Sequence, residues 1–486
     1  VPQSALVPPP HAPAATLHPL CVDLDGTLVK SDTLVDSLLA LLRTHPLQIF
    51  PLLGRLAAGK AAFKEFVTQS IKLDVAHLPY NRPLLHYLHQ QHAQGRPIYL
   101  ATGADQHLAH RVADHLGIFS GVLGSNGSTN LTGDRKLEAL RARLHNAPFD
   151  YIGNDTPDLA LLSQATQPMV ANPTLSLRRQ LKSLRLHPAQ QFTEQKPLAS
   201  SLLKSLRLHQ WVKNTLIFVP LLCSHALTQA KVLTALAAVL CFSLVASSAY
   251  IVNDLLDLEA DRRHPRKCQR PFAAADLSPR TGVLFAACLL AAGLSCASWL
   301  PGRFLAWLLI YLATALFYSL YLKRIALVDV MVLSGLYSLR LLAGGSVTQT
   351  PISSWLAGFS MFLFLSLAIA KRFAELENLR ATNAVPENGR GYVVADLAQL
   401  RAFGTASAYA AVVIFAIYIT NSEVTMLYRT PRLLWLSVPL IILWLNRVWL
   451  LASRGKLNED PVAFALTDSI SQIIGLFVVV IALLAL

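Results

Sequence analysis

The sequence predicts two parts of different class: an N-terminal Rossmann-like α/β domain with a helical cap, followed by an all-α membrane bundle of about nine transmembrane helices. Three observations predict this. The chain is 53% hydrophobic and only 14% charged, whereas a soluble domain averages about a quarter charged. Up to about residue 200 the apolar residues come in short runs broken by charge and turns; after about 210 they come in long ones. The short runs alternate with helical periodicity, the pattern of a parallel sheet wrapped by helices.

In the first part, "HPLCVDLDGTL" reads as a buried strand running into a loop, and "RPIYLATG", "FDYIGND" and "QPMVANP" repeat the pattern. "ADQHLAHRVADHLGIF" is helical between them. Residues about 33–90 are mostly helical and interrupt the first crossover, as an inserted cap would. The α/β domain is therefore expected over 18–184, after a tail at 1–17. That tail has no basic segment followed by an apolar one, so no signal peptide is expected and the N-terminus is expected to stay in the cytosol. The polar stretch 185–204 reads as a linker.

The second part, 205–486, holds nine runs long enough to cross a bilayer. They lie near 213–228, 231–252, 283–300, 303–321, 328–347, 354–371, 404–421, 432–451 and 466–486. With the N-terminus inside, loops near 254–281, 322–327, 371–403 and 452–464 carry about fifteen Lys and Arg, and the opposite loops about four (Lys231, Arg303, Arg429, Arg432). The positive-inside rule favours that orientation in the cell inner membrane. The formal charge of +14 is thereby explained without a nucleic-acid partner, and it also suits a phosphorylated substrate. The six cysteines form no C-x-x-C pair and read as small buried hydrophobes.

Two stretches carry chemistry. In "VDLDGTL", Asp23 and Asp25 stand two apart where a strand ends. Gly26 lets the backbone approach a phosphate. Two acids so close repel unless a cation sits between them, and Mg²⁺ is the natural one. A turn with two solvated aspartates is the plainer reading of this stretch alone. Thr102 ends the next strand, Lys136 follows in "GDRKLEAL", and Asp155 and Asp158 end a third strand in "IGNDTPD". These motifs, in this order over about 18–180, resemble the haloacid dehalogenase-like (HAD) phosphatases, in the branch with a helical cap after the first motif. The resemblance implies that Asp23 is the phosphorylated nucleophile and Asp25 the proton donor to the leaving oxygen. Thr102 and Lys136 would hold the phosphoryl group. Asp155 and Asp158, with Asp23 and Asp25, would form the Mg²⁺ site.

The second stretch is "SAYIVNDLLDLEADRRHPRKCQRP", where an apolar run ends in acids and then bases. On a helix Asp254, Asp257 and Asp261 share one face. Such a ladder at a membrane boundary is costly unless it binds cations. Metal held there attracts a diphosphate, whose remaining oxygens Arg262, Arg263, Arg266, Lys267 and Arg270 would grip. A solvated loop with positive-inside charges explains the bases but not three acids on one stripe.

"NDLLDLEAD", beginning at Asn253, together with the helical bundle, resembles the UbiA-type intramembrane prenyltransferases, which use this motif to bind Mg²⁺ and a donor diphosphate. The usual second aspartate-rich motif is replaced by "AIAKRFAEL", with Lys371, Arg372 and Glu375. "LRLHQWVKN" offers Arg207, Gln210, Trp211, Lys213 and Asn214. "YSLYLKR" offers Tyr318, Tyr321, Lys323 and Arg324, and "NEDPVAFALTD" offers Glu459, Asp460 and Asp468. These are similar to the decaprenyl-phosphate phosphoribosyltransferase branch. The resemblance implies phosphoribosyl pyrophosphate as donor and a polyprenyl phosphate as acceptor. Trp211 and Tyr321 also suit interface anchors, and Lys323 and Arg372 suit snorkelling cations. Tyr318 and Lys323 are five apart, not four, which leaves their pairing open. Arg340, inside the fifth run, is expected to face a polar cavity or to pair with an acid.

Together the two resemblances imply Mg²⁺-dependent transfer of 5-phosphoribose to a polyprenyl phosphate, with the phosphatase part removing the 5-phosphate. Three alternatives stand beside this: an aromatic prenyltransferase using a polyprenyl diphosphate, with an independent phosphatase; a membrane binding or transport protein with a regulatory soluble domain; or the same transferase with the phosphatase part as a scaffold. A homo-oligomer is compatible with any of them.

Overall fold

The structure is a computed structural model, and it describes residues 18–45, 51–52, 60–126, 129–382, 390–457, 464–465 and 467–486. It divides into two compact units. One holds the described residues up to Leu202 together with Asp254–Arg280; the other holds Leu203–Asn253 and Thr281–Leu486.

The first unit is built on a six-stranded, all-parallel sheet of order β3-β2-β1-β4-β5-β6. The strands are β1 (Leu20–Val22), β2 (Ile98–Asp105), β3 (Gly121–Ser125), β4 (Asp150–Gly153), β5 (Pro168–Ala171) and β6 (Gln190–Phe192). β1, β2, β4 and β5 are largely buried on both faces and read as mostly apolar runs, as parallel strands do. One core, with Val22, Ile98, Leu100 and Ile152, fills one face. A second, with Cys21, Tyr151, Leu161 and Val170, fills the other. Helices α1 (Thr33–Thr44) and α2 (Lys60–Ser70) fall in the expected cap, and α3 (Arg82–Ala93) returns the chain to β2. Next come α4 (Gln106–Leu116), α5 (Asp134–Arg143) and α6 (Leu175–Ser183). The Asp32 side chain caps α1 by accepting from the N–H groups of Leu34 and Val35, which satisfies donors that a helix start leaves open.

The stretch expected to be a linker is partly built into this sheet. Met169, Val170 and Ala171 pair with Gln190, Gln191 and Phe192, and Phe192 enters the core. One apolar residue among polar ones was too weak a signal for an edge strand.

The apolar part forms α7 (Gln229–Leu256), the short α8 (Leu258–Arg263), α9 (Pro279–Ala297), α10 (Phe304–Leu320), α11 (Val328–Thr348), α12 (Ser354–Thr382), α13 (Leu397–Thr420), α14 (Ser437–Ser453) and α15 (Ser469–Ala485). Among the described residues, six helices are long and apolar enough to cross a membrane, not nine. α10 and α15 are apolar but shorter. The expected span at 213–228 is instead a 3-10 helix, Leu208–Phe218, followed by a five-residue helix, Val219–Cys223. Lys213 and Asn214 are buried within it, so an uninterrupted apolar surface is not available there. Three expected features are also revised. The described cysteines are all free, and Cys288 and Cys296 on α9 are exposed rather than buried. The acid ladder is not one helix, because α7 ends at Leu256 and Asp257 (φ −92°, ψ 11°) starts a new one. Of "NEDPVAFALTD", Glu459 and Asp460 lie outside the described residues, while Asp468 caps α15 and is bidentate to Arg447 at 2.6 and 2.9 Å.

Candidate active sites

Three adjacent parallel strands bring the first motif residues to one end of the sheet. Asp23 follows β1, Thr102 lies in β2 and Asp155 follows β4, with Val22 in register with both Leu100 and Ile152. Ligands of open α/β sheets bind at such carboxyl ends. Lys136, on the first turn of α5, completes the group. Asp23, Asp25, Thr102, Lys136, Asp155 and Asp158 all line one cavity of ≈ 510 Å³.

Lys136 Nζ donates to Asp23 Oδ1 at 2.8 Å, to Asp158 Oδ1 at 3.1 Å and to the Tyr151 hydroxyl at 2.9 Å. All four groups are buried. Burial alone lowers an ammonium's pKa, but Asp158 and Asp23 outweigh it and raise that of Lys136, so the lysine stays charged. Burial pushes the Asp23 carboxyl up to about 6 despite that lysine. Burial, with Asp32 nearby, pushes Asp25 up to about 7. Asp25 Oδ1 accepts from the Thr33 N–H at 2.8 Å, which ties it to the start of α1. Thr102 is fully buried, and its hydroxyl accepts from the Ala104 N–H at 3.0 Å.

Asp158, expected among the metal ligands, is engaged by protein groups. Its Oδ1 accepts from Tyr151 at 2.8 Å as well as from Lys136, and its Oδ2 accepts from the N–H groups of Asn154 and Asp155 at 3.0 and 3.3 Å. With both oxygens engaged, it holds Lys136 and the loop after β4. The i, i+3 spacing from Asp155 to Asp158 signalled this too, because it is the spacing of a capping box, which is present here. Tyr151 was missed, being an aromatic in an apolar strand. Asn154 was also missed; Gly26, at φ +75°, packs so closely on it that a Cβ would lie 2.0 Å from Asn154 Nδ2.

Among the described residues no three His, Cys, Asp or Glu side chains converge as a metal cluster. No described His or Cys lines the cavity, and Asp23, Asp25 and Asp155 are among its carboxylates. That set fits Mg²⁺, which takes one or two carboxylates and fills its shell with phosphate oxygens and water.

In the segment Asp254–Arg280, Asp254 and Asp261 converge. Arg270 Nη1 lies 3.1 Å from Asp254 Oδ1 and 2.5 Å from Asp261 Oδ2, so both carboxylates address one cation position, which also fits a metal. Asp257 turns away, 3.5 Å from Arg43. The bases are dispersed over different partners. Arg262 is buried and donates to Asp36 Oδ2 at 2.8 Å and to Ser31 at 3.2 Å. Arg263 bonds Asp74 at 2.8 Å and Glu259 at 2.6 Å. Arg266 is exposed and Lys267 half-buried.

In the second unit, Arg340 is buried in α11, and its hydrogen-bond partners include no acid. Its Nε donates to Asn214 Oδ1 at 2.8 Å and its Nη2 to Tyr311 at 3.3 Å. The rings of Phe242, Tyr311 and Tyr337 surround it at 4.9–5.5 Å. Lys213 lies 5.5 Å from the Tyr337 ring and Arg207 the same distance from Tyr250. Trp211 donates to Ser247 at 2.9 Å, an internal bond rather than an interface anchor. Tyr318 and Lys323 do not pair: Tyr318 donates to Asp329 Oδ1 at 2.6 Å, and Lys323 to Asn253 Oδ1 at 3.4 Å. Arg372 does not snorkel. It is buried against Asp329 and bonds Glu375 at 2.6 Å and Tyr318 at 3.2 Å. Lys371 is half-buried beside it. Asp329 was missed, although an acid inside an apolar run is itself a functional-site signal.

The profile of the UbiA prenyltransferase family matches residues 216–471. The chain belongs to the UbiA family. Among UbiA-family relatives, the decaprenyl-phosphate phosphoribosyltransferase of Mycolicibacterium smegmatis is 31% identical over 58% of this chain and 91% of its own length. A Sinorhizobium fredii protein, y4nM, is 36% identical over 94% of this chain and 89% of its own, so the likeness takes in both units. A HAD family hydrolase from Salmonella enterica is a fold neighbour covering 37% of this chain and 68% of its own, at 16% identity and TM-score 0.27. The chain is thus a UbiA-family transferase with membrane-spanning helices, joined to a parallel-sheet domain.

Proposed function

We propose that the UbiA part transfers 5-phosphoribose from phosphoribosyl pyrophosphate to a polyprenyl phosphate, and that the sheet domain then removes the 5-phosphate. The observation that carries the first step is the convergence of Asp254, in the last turn of the apolar helix α7, and Asp261, in α8, on one cation position. The activity named for the M. smegmatis relative supports it. Asp254 and Asp261 are the residues that would hold Mg²⁺. Bound there, the metal supplies charge neutralisation for a departing diphosphate. In the transfer, the ribose C1–O bond to diphosphate breaks and a bond from C1 to an acceptor phosphate oxygen forms. The acceptor is already an anion, so no strong base is required. Lys371, Arg266 and Lys267 are the candidates to offset its charge. Arg340, Arg372 and Arg262 are committed to protein partners and serve to position neighbouring groups.

In the second step, an Asp23 carboxylate oxygen attacks phosphorus and the P–O bond to the ribose 5-oxygen breaks. Asp25 gives that oxygen a proton, and water then releases inorganic phosphate and restores Asp23. Lys136 offsets the charge of the phosphoryl oxygens, and Thr102 orients them. Asp23, Asp25 and Asp155 would hold Mg²⁺. The product is polyprenyl-phosphoryl-ribose. We place both reactions on the cytoplasmic side of the inner membrane, from the charge distribution of the loops.

Mass spectrometry of lipid products tests both steps. Membranes holding the wild type or Asp23→Asn receive Mg²⁺, phosphoribosyl pyrophosphate and a polyprenyl phosphate. Ribosyl lipid from the wild type and phosphoribosyl lipid from the variant is the expected result. Phosphoribosyl lipid from both separates the phosphatase from this pathway. Consumption of a polyprenyl diphosphate with an aromatic acceptor, and no ribosylated lipid, overturns the reading.

A further inference from the structure

Besides residues 30–36, Lys64 and Thr68 at the cap, the cavity around Asp23 has two walls of different character. One is the sheet end, with Thr102 and Lys136. The other is the segment Phe272–Arg280. In that segment Phe272, Ala275 and Leu277 are buried apolar residues. Pro279 and Arg280 line the cavity and also open α9, a helix long and apolar enough to cross a membrane. In sequence, the lining segment therefore leads directly into a candidate membrane span. A site for a small water-soluble phosphate ester needs neither feature.

Arg262 fastens this wall. Its Nε donates to Ala273 O at 3.3 Å, its Nη1 to Asp36 Oδ2 at 2.8 Å and its Nη2 to Ser31 Oγ at 3.2 Å. Ser31 in turn donates to Asp36 Oδ2 at 2.6 Å. One guanidinium thus joins the apolar segment to the start of the cap. Arginine suits this because its rigid fork serves several acceptors at once.

We propose that Phe272–Arg280 is the specificity wall of the phosphoryl cavity. It favours phosphate monoesters carried on a membrane lipid over free ones, and Arg262 is the residue that positions it. This rests on the reading of Asp23 as a phosphatase nucleophile. Binding energy from a remote, non-reacting part of a substrate raises kcat/KM when it is used in the transition state. Here the remote part is the linkage between the ribose and its lipid.

The test uses the full chain in vesicles. Hydrolysis of 5-phosphoribosyl polyprenyl phosphate in the bilayer is compared with hydrolysis of ribose 5-phosphate in solution. The wild type is expected to prefer the lipid-borne ester by about tenfold or more in kcat/KM. Arg262→Gln and, independently, Phe272→Ser are expected to bring that ratio toward one, with Arg262→Lys in between. Each ratio is taken within one variant, so loss of folded protein lowers both rates and leaves the ratio unmoved. A wild-type ratio near one, or an unchanged ratio in both variants, overturns the wall. A wild type that hydrolyses neither ester, nor p-nitrophenyl phosphate, overturns the phosphatase reading and the wall with it. Turnover of p-nitrophenyl phosphate by the wild type but not by Asp23→Asn, without lipid preference, overturns the wall alone.

Discussion

Arg270 Nη1 sits 2.5 Å from Asp261 Oδ2, and the same nitrogen lies 3.1 Å from Asp254 Oδ1. A guanidinium thus holds the position that a metal would take between these carboxylates. Arg270→Ala is expected to tighten Mg²⁺ binding, measured by calorimetry without diphosphate, by about tenfold, because a unit charge at this range is worth about 1 kcal/mol or more. Unchanged affinity would mean that arginine and metal do not compete.

Lys136 is the cation shared by two buried carboxylates, Asp23 and Asp158. Lys136→Met removes it and leaves both uncompensated. The expected cost is about 3–5 kcal/mol, the usual penalty for breaking a buried pair from one side, seen as a lower urea midpoint for the sheet domain. Phosphatase turnover is expected to vanish as well. A stable but inactive Lys136→Met protein would show that the lysine serves chemistry alone.

Gly26 is constrained twice, by a backbone that L side chains rarely adopt and by Asn154 pressed against it. Gly26→Ala is expected to cost about 1–3 kcal/mol from strain. Asn154→Ala in the same chain relieves the clash but not the dihedral, so only part of the loss should return in thermal unfolding.

Asp329 and Arg372 form a fully buried ion pair between α11 and α12. Asp329→Asn is expected to destabilise the detergent-solubilised protein by about 3–5 kcal/mol. The fluorescence-detected melting temperature should fall accordingly. A melting curve identical to the wild type would show that Glu375 and Tyr318 suffice as partners.

Cysteine labelling separates environments. Burial, with Asp150 nearby, pushes the Cys21 thiol up to about 12, and the residue is fully covered. Cys288 and Cys296 are exposed on a candidate membrane span. A lipid-soluble maleimide should modify those two in intact membranes, an impermeant charged one should not, and Cys21 should react only after denaturation. Rapid labelling of Cys288 by the charged reagent would argue that α9 is not in lipid.

Four of the six strands were legible because each is a short apolar run ending in a polar tip, and Asp23, Thr102 and Asp155 stood out near those tips; Lys136, on a helix, stood out only by its place in the order of motifs. The partners of Asp158 were only half legible, since its spacing from Asp155 signals a capping box but nothing along the chain signals Lys136 and Tyr151 on its other oxygen. Positive-inside arithmetic located the basic loops but did not distinguish Arg262, committed to Asp36, from Arg266, which is exposed. The buried Asp329 and the aromatic surroundings of Arg340 depend on packing between helices, which hydropathy along one chain does not encode. The break at Asp257 was hidden for a related reason, because local periodicity runs straight through it.

The first unit is made from two separated pieces of chain, with α7 synthesised between them. As the chain leaves the ribosome, the sheet with its four aspartates and lysine is finished well before Phe272 and Leu277 exist. Until then the pocket around Asp23 lacks one side. Its assembly therefore has to wait for a stretch of chain that begins only after a membrane helix has been made.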